Sequence, residues 1–121
     1  MPGDHHAAIE YLLAHADVAL PALIDALEGP DSAAACRAAE ALGALPGLAT
    51  DAVSPLGRQA LYGSPEVAAA AVAALGNLPA SRASVITLEE ALRSERTEVR
   101  HVAALSLARV EAQGAPVLSR R

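Results

Sequence analysis

Apolar residues recur along this chain at helical spacing, about 3.6 residues per turn. One stripe runs through Leu20, Leu23, Ile24 and Leu27, and another through Ala34, Ala38, Ala41, Leu42 and Leu45, with Arg37 as the single misfit. A third joins Val67, Ala70, Ala71, Ala74, Leu75 and Leu78. Two more follow: Val85, Leu88, Ala91 and Leu92, then Val99, Val102, Ala103, Ser106, Leu107 and Val110. The stripes are separated by short turn-forming linkers, GPDS, GSPE and SERTE. The pattern predicts helices joined in pairs, each too narrow to bury its own apolar side.

The pairs repeat. Asp17 and Pro21 recur as Asp51 and Pro55, Leu27 as Leu61 and Leu92, Ala34 as Val67 and Val99, and Leu42 as Leu75 and Leu107. The interval stays between 31 and 34 residues, and the order of the anchors is kept. Repeats are expected over residues 17–46, 51–79 and 83–110. Asp17, Asp51 and Ser84 are expected to cap the first helix of each unit through their side-chain oxygens. Gly29, Gly43, Gly63 and Gly76 are expected to be helix-end residues. A short helix over residues 4–16, apolar at Ile9, Leu12 and Leu13, is expected to cap the array. Residues 111–121, with Gly114 and Pro116, read as a tail.

Composition sharpens this picture. Hydrophobic residues make up 53% of the 121, aromatic residues only 2%, and there is no Phe or Trp. A core of Ala, Leu, Val and Ile favours helix, since Ala loses no side-chain entropy on becoming helical. An all-α single domain is expected. The net charge is −5, and every basic residue is Arg. The second half of the chain is near neutral, so it offers no basic face for nucleic acid. Cys36 is the only cysteine, which excludes an intramolecular disulfide. The opening MPGDHHAAIEYLL lacks the charge order of a signal peptide, and no apolar run approaches the roughly 18 residues that a membrane span needs. A cytoplasmic protein without a membrane segment is expected.

Leu20-Pro21-Ala22-Leu23-Ile24-Asp25-Ala26-Leu27, followed by Cys36-Arg37-Ala38-Ala39-Glu40-Ala41-Leu42-Gly43, resembles the bacterial HEAT-like repeats of the phycobilisome-lyase type. Glu66-Val67 through Ala74-Leu75-Gly76, and Glu98-Val99-Arg100-His101, carry the same pattern. The third repeat departs from it, with Thr87 in place of Pro and Ala108 in place of Gly. The resemblance covers roughly residues 17–110 and implies a short α-solenoid of helical hairpins. It also implies a concave face lined by the second helices, and adaptor or scaffold roles, with chromophore attachment in some members.

On that implied face the positions outside the apolar stripes are Ala35, Cys36, Ala39 and Glu40, then Ala68, Ala69, Val72 and Ala73, then Arg100, His101, Ala104 and Leu105. Cys36, Glu40, Ala69, Val72, Arg100, His101 and Leu105 are the expected protein-binding residues. An apolar centre flanked by Glu40, Arg100 and His101 suits a partner helix or peptide. The plain alternative is a solvated helix face on which Ala is merely a good helix former. Val72→Asp and Leu105→Asp are expected to spare the fold and weaken association.

Catalysis is not expected. Cys36 has no sequence-local base or oxyanion donor. His5, His6 and His15 with Asp4 and Glu10 make no metal pair, because adjacent helical residues point about 100° apart. No cofactor is expected, and the partner is another protein or a second copy of the chain. A bilin-lyase-like chromophore role is the first alternative and nucleic-acid binding the second.

Overall fold

In the computed structural model, residues 16–45 and 49–113 are described. Among them the protein is all-α, with no strand. Helix α1 spans Ala16–Leu27 and α2 spans Ser32–Gly43. A 3-10 turn, Ala49–Ala52, leads into α3, Val53–Tyr62, which pairs with α4, Pro65–Asn77. Helices α5, Arg82–Ala91, and α6, Thr97–Ala112, form the third hairpin. The expected cap helix lies outside the described residues except at Ala16, and the tail lies outside them beyond Gln113.

Local chemistry sets the starts of α2, α4 and α5. Asp31 caps α2, its carboxylate accepting from Ala33 N at 3.0 Å and Ala34 N at 3.3 Å. Pro65 opens α4, where a missing N–H costs nothing. At α5 the expected cap is corrected. Ser81 is the N-cap, and Ser84 sits three residues inside in a reciprocal capping box. Ser84 Oγ accepts from Ser81 N at 2.9 Å and donates to Ser81 O at 3.0 Å, so a fully buried hydroxyl is satisfied. Asp51 does not cap α3 either. It lies in the 3-10 turn, and Ala52 holds the cap position.

The hairpins stack in chain order. Helix α2 packs on α4 and α4 on α6, while α1 meets α3 and α3 meets α5. One core runs through all three hairpins and includes Leu27, Leu42, Leu56, Leu75, Leu88 and Val110. Alanines fill the space between these larger side chains, notably Ala38, Ala71 and Ala103. Without large rings the second helices must come close, and the structure shows where. A Cβ built on Gly43 would lie 3.0 Å from Ala74 Cα. One on Gly76 would lie 2.5 Å from Ser106 Cβ and 2.8 Å from Ser106 Cα. Both glycines lie at helix ends as expected, Gly43 last in α2 and Gly76 next to last in α4, but they serve helix approach there, and Ala44 and Leu78 hold the C-cap positions. At the second crossing Ser106 Oγ donates to Val72 O at 3.0 Å, satisfying the buried hydroxyl.

Arginines join successive hairpins at their turns. Arg58 pairs with Glu28, and Arg96 Nη1 donates to Gly63 O at 2.6 Å. Both pairs are exposed, so each contributes little stability, about 0–1 kcal/mol. No helix among the described residues is long and apolar enough to cross a membrane.

Candidate functional site

The three second helices share one register, and burial divides each into faces. The residues of one face point toward the preceding first helix and make the core. Another face points forward, onto the next second helix. Ala35, Ala39 and Gly43 do this on α2, at i, i+4 and i+8, and all are buried. Ala68, Val72 and Gly76 do it on α4 and are buried as well. The repeat-equivalent residues on α6 are Arg100, Ala104 and Ala108.

A different set points away from the first helices. On α2 it includes Cys36, half-buried, and Glu40, exposed. The equivalent pair on α4 is Ala69 and Ala73, and on α6 it is His101 and Leu105. The middle helix carries only methyl groups where its neighbours carry a thiol, a carboxylate, an imidazole and an isobutyl group. On this face the side chains are shortest over α4, a trough in side-chain length between Cys36 and Glu40 of α2 and His101 and Leu105 of α6. Leu105 is 49% exposed, unusual for a leucine in a core this short of large apolar residues.

Five of the seven expected binding residues, Cys36, Glu40, Ala69, His101 and Leu105, fall at equivalent positions on this face, but Ala69 is buried, 9% exposed, and its expected exposure is corrected. Two do not. Val72 is 0% exposed, clamped in the forward face against α6. Its expected exposure is corrected, as is that of Ala35, Ala39 and Ala68, all at 1% or less. Arg100 belongs to the same forward face, on the last of the described second helices. Its guanidinium turns back along the helix, Nη1 donating to Ser94 O at 2.7 Å and Nη2 to Thr97 Oγ1 at 3.1 Å. Ala73 belongs to the trough and completes its floor.

The electrostatics of the trough are mildly acidic at the α2 side. Burial pushes the Cys36 thiol above its ordinary pKa, and the carboxylates of Glu66 and then Glu40 push it further, against a weaker pull from Arg37. The thiol is thus held neutral, the opposite of an activated nucleophile. Iodoacetamide is expected to modify Cys36 several-fold more slowly in the native chain than in urea at about pH 8. Equal rates would mean that the thiol does not feel this setting. The same shift makes the native state release its proton later than the unfolded chain. This contribution to stability is fully present at neutral pH and is lost as pH rises through the thiol range. Among the described residues no group of three or more His, Cys, Asp or Glu side chains is arranged to hold a metal ion. The histidines near the start of the chain lie outside those residues.

Two concavities lie elsewhere. One, of about 490 Å³, opens between the ends of α3 and α5, where Tyr62, Glu90, Arg93 and Arg96 line it. The other, of about 500 Å³, is lined by Val53, Leu78, Pro79 and Ala80 at the opposite ends of the same helices. Neither gathers groups that suggest chemistry.

No family model, no curated protein and no solved structure matches this chain.

Proposed function

We propose that this protein is a HEAT-like helical-repeat module, a short solenoid acting in the cytoplasm as an adaptor or scaffold, and that it holds a helix or peptide of a partner protein in the trough over α4. The observation that carries the reading is the contrast along one register. Ala69 and Ala73 make a methyl floor between the longer side chains of Cys36 and Glu40 and those of His101 and Leu105. An amphipathic helix seats its apolar stripe in a trough of this kind. Its polar flanks then meet Glu40 on one side and His101 on the other. The floor is rigid, because α4 is the most buried helix of the stack. A rigid floor lowers the ordering cost of binding.

The recurrence of anchors and the hairpin-on-hairpin packing support the family likeness. A library of amphipathic helical peptides selected on the immobilised chain tests the function. The expected binders compete with one another and lose about tenfold or more in affinity on Ala73→Arg, which fills the trough without touching the core. Binders indifferent to both Ala73→Arg and Leu105→Asp would exclude this face.

A further inference from the structure

The last hairpin presents, uncovered by any described residue, the surface that the first two hairpins bury. Ala68 is 1% exposed and Val72 is 0% exposed, while their equivalents on α6 are the half-buried Arg100 and the exposed Ala104. Gly76 is buried and its equivalent Ala108 is exposed. On the first helices, Leu61 is half-buried and its equivalent Leu92 is 39% exposed. The outer face of α5 and α6 therefore continues a packing interface that occurs twice inside the molecule.

This face differs from the two internal ones in being charged at both ends. Arg100 lies near the start of α6 and Glu111 near its end, eleven residues apart. At 100° per residue they point within about 20° of the same direction, separated by about 16 Å along the axis. Ala104 and the half-buried Leu107 lie between them, about 40° to one side of the Arg100 direction and about 20° to the other. Only two N–H groups of Arg100 are taken up by Ser94 and Thr97, out of the five that a guanidinium has. Turned end for end, the face matches itself: positive meets negative, and Ala104 meets Leu107.

We infer that the occupant of this face is a second copy of the chain, paired across a two-fold axis with its α6 antiparallel to the first. Arg100 of each copy then faces Glu111 of the other, and Ala104 of each copy leaves room for Leu107 of the other. Closed two-fold pairing is the commonest way a self-complementary patch is used. The arrangement leaves the trough open, since His101 and Leu105 point to the side of the contact. Dimerisation and partner binding are independent, and either reading stands if the other fails.

Sedimentation velocity of the full chain, from low micromolar to high micromolar concentration, reads the association directly. A reversible dimer is expected. Arg100→Glu and Glu111→Arg should each weaken it about tenfold or more, through like charges facing each other across the axis. The double variant Arg100→Glu/Glu111→Arg should restore the wild-type constant to within about threefold, because the reversed pairs are again complementary. Circular dichroism guards against unfolding, and the rescue cannot arise from a merely destabilised α6. A wild-type chain that stays monomeric throughout overturns the proposal, as when residues 114–121 take the face instead. A dimer that neither single variant weakens, or that the double variant does not restore, overturns it too.

Discussion

Replacing Gly76 by alanine is expected to destabilise this protein by about 3 kcal/mol, although the same change would stabilise an isolated helix. Two effects compete. Ala is favoured over Gly inside a helix by about 1 kcal/mol. Against that, the new methyl would sit 2.5 Å from Ser106 Cβ and 2.8 Å from Ser106 Cα. Carbon atoms in contact settle at about 3.5–4.0 Å, so α4 and α6 must separate by roughly 1 Å. No rotamer change can relieve a clash with a Cα, and the Ser106 hydroxyl would also be driven off the Val72 carbonyl. Among the described helices α4 and α6 share the most extensive contact, so the displacement loosens packing along the whole crossing. Overpacking of this sort costs about 1–3 kcal/mol and sometimes more. Gly43→Ala is the internal control. Its methyl would meet Ala74 Cα at 3.0 Å and Ala74 Cβ at 3.2 Å, which a shift of a few tenths of an ångström relieves. Chemical denaturation of both variants should show a large loss for Gly76→Ala and a change near zero for Gly43→Ala. Equal effects would mean that the α4–α6 crossing is no tighter than the α2–α4 crossing.

The second large effect separates two positions that look alike in the sequence. Val72→Asp should abolish folding or cost more than about 4 kcal/mol, because it places a carboxylate in a fully buried site. The Ser106 hydroxyl already donates to the Val72 carbonyl. Leu105→Asp should stay within about 0.5 kcal/mol of the parent, since that side chain is 49% exposed. Thermal melts followed by circular dichroism decide the matter. If both variants melt alike, α4 is not held in the register described. Leu105→Asp is thus the variant suited to probing the trough, and Val72→Asp is not. The expectation that both would spare the fold gives way at Val72.

The reason Val72 misleads lies in the composition of its helix. From Val67 to Leu75 helix α4 carries only Val, Ala and Leu. A helical stripe is found by the polar residues that interrupt it, and here nothing interrupts it. Ala68, Ala69, Ala71 and Ala73 are chemically identical, and within α4 itself nothing marks which of them faces a neighbour. Helix α2 has such markers in Arg37 and Glu40, and α6 has them in Glu98, His101 and Arg109. On those two helices the outward positions Cys36, Glu40, His101 and Leu105 were legible. Register could have been carried across from the flanking repeats. Equivalence with Glu40 and Leu105 places Ala73 outward, and equivalence with Gly43 points to Gly76 as a crossing residue.

The sequence alone determined that the chain is helical, that its helices come in three similar pairs, and roughly where each pair turns. Those features rest on local chemistry: helical spacing of apolar residues, alanine's low entropy cost, and Gly, Pro, Asp and Ser at the turns. Only the tertiary structure decided which methyl groups are floor and which are core, that Ser81 rather than Ser84 caps α5, and that Gly43 and Gly76 allow neighbouring helices to touch. These depend on how far apart two helices settle. That distance is set jointly by side chains about thirty residues apart in the chain, and no local pattern encodes it.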